Sequence, residues 1–279
     1  MNNFSNSLIN LQILRKVCEE LSIPYEVKDD FGNFVEVKKD GKSFFFVHCN
    51  TPFNNDGSKF VAKDKEFSYT IFGKSLHMPQ TKGYLDPNVD EKYSIFTKHK
   101  SHKEIIEDIE SNFKYPMIIK MNAGSQGRNT FLCKKTRDVK RALKNIFNKK
   151  NKNYDYIANV QEFINIQKEY RAIWFMGQIV FVYEKVCEVK RENISPLHND
   201  GAKAVLVEDE KVFSEIKSFL SQTEHLKDFE YLGLDIVIDE NNQIRLLEIN
   251  SHPGFSYFIR DSGEDEIVGL YRKMLENLK

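Results

Sequence analysis

Leu234-Asp235-Ile236-Val237-Ile238 and Ile244-Arg245-Leu246-Leu247-Glu248-Ile249-Asn250 are two apolar runs joined by a polar connector, Asp239 to Gln243. Runs of this kind around an Asn-Asn pair predict a β-hairpin with a two-residue turn at positive φ. With Asn241 and Asn242 as the turn, Glu240 faces Gln243, Ile238 faces Arg245 and Asp235 faces Glu248. Strand alternation then puts Glu248 and Asn250 on one face, with Asp235 across the ladder from them. Like charges placed opposite one another destabilise a sheet unless a proton, solvent or a cation relieves them. A hard divalent ion such as Mg²⁺ suits two carboxylates and an amide oxygen. The other reading of the pair is an exposed acidic hairpin without a ligand. Leu234, Ile236, Leu247 and Ile249 favour a core-facing hairpin, where isolated carboxylates are costly.

Upstream, Lys120 closes the apolar run Pro116-Met117-Ile118-Ile119-Lys120-Met121 and is followed by Asn122-Ala123-Gly124-Ser125-Gln126-Gly127-Arg128-Asn129. A lysine leaving a strand into a small-residue loop suits phosphate, because glycines let backbone N–H groups approach the oxygens. A plain hairpin loop is the alternative. Val160-Gln161-Glu162-Phe163-Ile164 reads as a strand, either an ordinary strand and turn or one whose free edge groups take an adenine ring, with Glu169 available for ribose hydroxyls. Asp40-Gly41-Lys42-Ser43 and Gly73-Lys74-Ser75 end like phosphate loops, but Glu36 and Ser68 stand where the first glycine is needed.

The chain has 279 residues, with 41 basic and 41 acidic side chains, so no global field draws it to nucleic acid or to an anionic membrane. No apolar run approaches the ~18 residues of a membrane span. The Asn- and Ser-rich start, Met1 to Ile9, lacks a secretory pattern, which makes the cytoplasm the expected compartment. Cys18, Cys49, Cys133 and Cys187 form no C-x-x-C pair, and no H-E-x-x-H is present.

Periodicity predicts helices over 7–22, 56–75, 103–111, 138–147, 210–221 and 264–278. Strands are expected over 25–27, 34–37 and 44–48 as a meander, then over 116–121, 130–133, 157–163, 170–176 and 178–184. Lys98-His99-Lys100-Ser101-His102-Lys103 reads as a solvated helix start.

Taken in order, these pieces resemble the ATP-grasp superfamily over about residues 60–260, nearest to RimK-like amide ligases and the ligase half of cyanophycin synthetases. The series is Ala62-Lys63-Asp64-Lys65, Pro79-x-Thr81, Tyr115-Pro116-x-Ile118-Ile119-Lys120, the Gly-Ser-Gln-Gly loop, Gln161 to Ile164, Glu169-Tyr170-Arg171, Gly233-Leu234-Asp235 and Leu247-Glu248-Ile249-Asn250-x-x-Pro253-Gly254. The resemblance implies an α+β fold of three lobes: a reduced N-terminal lobe (1–58), a lid-bearing central lobe (59–163) and a C-terminal lobe (164–279) with ATP between the last two. It implies Lys65 and Lys120 on the phosphates, and a lid over 122–129 containing Gly124, Ser125, Gln126 and Gly127. Glu162, Phe163 and Ile164 become the adenine hinge, and Glu169 the ribose contact. Asp235, Glu248 and Asn250 would hold one or two Mg²⁺, or Mn²⁺, with Arg171 near the transferred phosphate.

The implied reaction joins a small-molecule or peptide carboxylate to an amine through an acylphosphate, and an oligomer is compatible with it. A small-molecule kinase on the same fold and a non-catalytic nucleotide-binding regulator are the rival readings. Two departures stand out. Glu192-Asn193-Ile194-Ser195-Pro196 lies where RimK-like enzymes usually place an Arg and an Asn, and the N-terminal lobe is short. Lys185, Lys190, Arg191 and His198 are candidates for the acceptor side, or a solvated rim.

Overall fold

The computed structural model describes residues 7–122, 124, 129–187 and 201–279. Helix α1 (Ile9–Glu20) buries Leu11, Leu14, Val17 and Cys18 along one stripe. It precedes the meander β1 (Tyr25–Val27), β2 (Phe34–Lys39) and β3 (Lys42–Val47), as the alternation predicts. The expected helix over 56–75 is two helices, α2 (Asp56–Lys63) and α3 (Lys65–Phe72). Asp64 breaks it: its backbone is extended, and its carboxylate accepts the N–H groups of Glu66 and Phe67, capping α3. The break makes Lys65 the first residue of a new helix.

The central sheet runs in the order β4 (Thr81–Leu85), β7 (Ile157–Glu162), β5 (Met117–Met121), β6 (Thr130–Cys133). Helices α4 (His102–Asn112) and α5 (Thr136–Ile146) cover one face, where Tyr84, Met117, Ile119, Ala158 and Val160 form a core with Ile105, Ile109, Val139 and Leu143. The other face carries Thr81, Gly83, Lys120, Asn159 and Gln161, which follow from the registers Thr81↔Gln161, Gly83↔Asn159 and Lys120↔Asn159. Strand β7 is not the free edge that the sequence suggested, since β4 and β5 pair with it on both sides. Strand β4 escaped the sequence reading, its five residues carrying a central glycine.

The C-terminal sheet runs β10 (Lys203–Leu206), β9 (Gln178–Val186), β8 (Ile166–Phe175), β11 (Tyr231–Asp239), β12 (Ile244–Asn250). One face packs Tyr170, Ala172, Leu234, Ile236 and Leu246 against α6 (Glu210–Leu220) and Phe72 of α3. On the opposite face Ile173, Phe181 and Tyr231 meet α1, the meander, α7 (Ser256–Ser262) and α8 (Asp265–Glu276). Farther along that second face the side chains turn polar, with Arg171 of β8 beside Asp235 of β11. Among the described residues no helix is long and apolar enough to cross a membrane.

The β11–β12 hairpin places Asp235 opposite Glu248, as expected, but by a different route. Asp239 N–H donates to Gln243 O at 3.0 Å, Asn242 N–H donates to Asp239 O at 2.9 Å, and Asn242 has φ 60°. The connector is therefore three residues, Glu240 to Asn242, with Asn242 alone in the left-handed region that asparagine tolerates. That shifts the pairing by one, so Ile238 faces Ile244 and Val237 faces Arg245. A bulge between Asp235 and Ile236 then leaves Leu247 without an opposite number and restores the carboxylate pair.

Candidate active site

Four cations meet the two carboxylates. Lys65 Nζ lies 3.5 Å from Glu248 Oε1, and Lys120 Nζ 3.9 Å from Glu248 Oε2. Across the ladder, Arg171 holds Asp235 with two bonds, Nε to Oδ1 at 2.6 Å and Nη2 to Oδ2 at 2.7 Å, and Lys185 Nζ lies 2.9 Å from Oδ1. The facing pair is thus neutralised by the protein itself. The relief that the hairpin calls for, from a proton, solvent or a cation, comes in part from the chain's own side chains, because strands β8 and β9, invisible to a hairpin reading, bring Arg171 and Lys185 alongside.

The electrostatics follow from burial and these contacts. Burial opposes ionisation of Asp235, yet Arg171 and Lys185 hold its carboxyl well below the usual carboxylate range. Burial likewise works against Glu248, and Lys65 and Lys120 outweigh it. Glu169 goes the other way: burial raises it despite Lys185, whose ammonium lies 2.5 Å from Glu169 Oε1. For Lys120, burial dominates and pulls the ammonium down to about 8, with Glu248 opposing that fall and Lys65 adding to it. If the charged form of Lys120 binds phosphate, kcat/KM for ATP should fall as pH rises through about 8. A pH–rate profile at saturating second substrate reads this directly, and a flat profile from about 7 to 9 would show that no phosphate-binding ammonium titrates in that range.

The lysines are fixed by a polar lattice whose members lie in the quoted motifs, although no sequence pattern joins them. Lys120 Nζ donates to Gln161 Oε1 at 3.0 Å, Gln161 Nε2 donates to Thr81 Oγ1 at 3.0 Å, and the Thr81 hydroxyl donates to Pro79 O at 2.9 Å. Lys65 Nζ donates to the carbonyls of Asn122 at 2.9 Å and Gly124 at 3.2 Å. Gln161 and Asn122 are both buried. Their available signal was the period of two that puts Asn122 beside Lys120, and Gln161 beside Asn159, on one strand face.

At the hinge, Glu162 N–H donates to Gln80 O at 2.9 Å, and Gln80 N–H to Glu162 Oε2 at 3.2 Å. Phe163 and Ile164 follow the strand, and among the described residues their backbone groups make no hydrogen bond. Glu169 is buried and committed to Lys185, on the same sheet face as Arg171 and Asp235. Asn250 is opposite Gly233, and a Cβ at Gly233 would come within 2.9 Å of Pro253 Cβ and 3.6 Å of Arg171 Cδ. Glycine there lets the segment after β12 close onto β11. Ser125, Gln126, Gly127, Lys190, Arg191, His198 and the 192–196 segment lie outside the described residues. Lys185 is buried and is not part of a solvated rim.

The donor set fits a hard divalent ion. Glu248 makes ion pairs only at 3.5 and 3.9 Å and accepts no hydrogen bond among the described residues, so its oxygens are open. Asp235 and Asn250 stand on the same face, but both Asp235 oxygens already accept Arg171 and Lys185, so Asp235 would have to share an oxygen with the ion. Among the described residues no group of three or more His, Cys, Asp or Glu side chains gathers, so Asn250 is needed to make a third ligand.

Residues 81–276, more than two-thirds of the chain, match the RimK-like ATP-grasp domain, and the chain belongs to that family. Its fold is the ATP-grasp fold. Among solved structures it is similar to VanG D-Ala:D-Ser ligase from Enterococcus faecalis, at 14% identity and TM-score 0.54 over 77% of this chain and 60% of that one. It is similar also to D-alanine–D-alanine ligase from Bacillus anthracis, at 16% and 0.54 over 80% and 68%. A third likeness is to ATP-grasp ligase PsnB complexed with a minimal precursor, at 16% and 0.53 over 81% and 64%. The chain spans between 46% and 68% of the lengths of these and related structures. Among curated proteins no sequence matches it.

Proposed function

We propose that this chain is an ATP-dependent carboxylate–amine ligase. The observation that carries the reading is the convergence of Lys65 from α3 and Lys120 from β5 on Glu248 of β12, directly across the ladder from Asp235. Three elements from two lobes thereby build one cation-rich, oxygen-rich face, suited to a triphosphate and its metal.

In this reading Lys65, Lys120 and the 122–129 loop, with Gly124, Ser125, Gln126 and Gly127, take the phosphates. Glu162 and the free backbone groups of Phe163 and Ile164 take the adenine, and Glu169 is the ribose candidate. Asp235, Glu248 and Asn250 would hold Mg²⁺, which when bound offsets charge on the transferred phosphoryl group. Arg171, held by Asp235, is the residue placed near the transferred phosphate in this reading. A substrate carboxylate oxygen attacks the γ-phosphorus and ADP departs; an amine then attacks the acyl carbon, loses a proton and releases phosphate. The bounds 1–58, 59–163 and 164–279 are kept as proposed lobes, with α1, the meander and Phe72 of α3 sharing cores with the C-terminal sheet. Among the described residues the cysteines form no disulfide, which suits the cytoplasm. The likeness to a ligase solved with its precursor keeps peptides among the candidate substrates.

The test is a screen of amino acids and short peptides for amine-dependent ADP release, with mass analysis of the product. An amide product with free phosphate is expected. A phosphorylated hydroxyl product would establish the kinase reading instead.

A further inference from the structure

Asn122 follows the last residue of β5, and its side chain is buried. Its Oδ1 accepts the backbone N–H of Lys65 at 3.1 Å and Asn159 Nδ2 at 2.5 Å, and its Nδ2 donates to Asp64 Oδ2. The orientation of this amide is unambiguous, because a backbone N–H can only donate and an ionised carboxylate can only accept. Its carbonyl meanwhile accepts Lys65 Nζ at 2.9 Å. Lys65 is therefore gripped at both ends by one residue, which is itself two positions from Lys120 on the same strand face. The same orientation forces Asn159 to turn its amide donor toward Asn122, leaving Asn159 Oδ1 buried with no partner among the described residues.

We infer that Asn122 is a positioning residue for phosphate binding, fixing Lys65 against Lys120 through an amide–carboxylate lock with Asp64. The inference rests on the ATP-binding reading above. The lock needs one carboxylate and one amide. Aspartate at 122 would oppose two buried carboxylates and lose the donor, while Asp64→Asn combined with Asn122→Asp exchanges the partners and keeps the bond. Asparagine at 64 also retains an oxygen for capping α3.

Binding of Mg·ATP is measured by calorimetry, with circular dichroism confirming the fold of each variant well below its melting temperature. Asn122→Asp should weaken binding by about tenfold. The exchanged double variant should return affinity to within about threefold of the unaltered chain. A structural role alone predicts lower melting temperatures without restored affinity in the exchange. Unchanged affinity in Asn122→Asp, or a folded exchange variant that binds no better than the single one, overturns the inference. Should Asn122→Asp fail to fold, Asn122→Ser removes the same lock, and unchanged affinity there is equally decisive. No ATP binding by the unaltered chain would overturn the ligase reading together with this one.

Discussion

Glu248→Gln is expected to lower ATP consumption by about 10²–10³-fold, the usual consequence of removing one group that stabilises transition-state charge. The substitution keeps size and shape. Lys65 retains the Asn122 and Gly124 carbonyls, and Lys120 retains Gln161, so neither cation loses all its partners. Stability should therefore fall by only about 1 kcal/mol or less, as for partly exposed ion pairs. Two effects add in the activity. The amide lacks the negative charge that suits Mg²⁺ and offers one oxygen in place of two, so half-saturating Mg²⁺ should rise. Lys120 also loses the carboxylate that opposes its fall to about 8, so its ammonium should titrate still lower. The alkaline limb of kcat/KM for ATP should move toward neutrality in the variant. Intact turnover in Glu248→Gln at every Mg²⁺ concentration would remove Glu248 from the site.

More of the facing carboxylate pair was legible in the sequence than of its support. Asp235 and Glu248 could be set face to face from a hairpin alone, because strand periodicity is local. The prediction survived two compensating departures, a three-residue connector and a bulge at Leu247, neither of which leaves a signature in residue types. Lys120 was legible as a lysine leaving an apolar strand. Arg171 and Lys185 as partners of Asp235 were not, because their approach depends on which strands become neighbours in the sheet. The bonds of Asp64, Asn122 and Gln161, which sit inside the quoted motifs, escaped for a related reason. A buried amide looks like any turn or loop residue until its partners are known to be close, and here they lie 41, 58 and 80 positions away along the chain. Strand β4 was missed because Thr81-Lys82-Gly83-Tyr84-Leu85 is short and interrupted by glycine, and only its pairing with β7 makes it a strand.

Asp235→Asn is expected to be the most destabilising single change at this face, by about 3–5 kcal/mol, because it leaves buried cations without their carboxylate. Among the described residues Arg171 makes no other ion pair, and its bidentate grip on Asp235 is lost. Lys185 keeps Glu169 at 2.5 Å. The contrast with Glu169→Gln is the internal control. There Lys185 still has Asp235 at 2.9 Å, and the carboxylate removed is one that burial already penalises, so a smaller loss of about 1–2 kcal/mol is expected. Urea unfolding of the two variants beside the unaltered chain measures the order, and equal losses would refute the ladder of charges described here.

The sign of the pH dependence is fixed as well. Arg171 and Lys185 depress the Asp235 carboxyl in the folded chain, so its contribution is fully present above the ordinary carboxylate pKa of about 4 and disappears as pH falls through the lower folded value. The stability gap between Asp235→Asn and the unaltered chain should therefore be constant from roughly pH 5 to 8 and close only in acid. Magnesium separates the two roles of this residue. If Asp235 shares the ion with Glu248, half-saturating Mg²⁺ for ATP consumption rises in Asp235→Asn as it does in Glu248→Gln; if it serves only to hold Arg171 and Lys185, stability falls and the Mg²⁺ requirement stays where it was. The register that sets Asp235 opposite Glu248 on the face shared with Asn250 makes the first outcome the expected one.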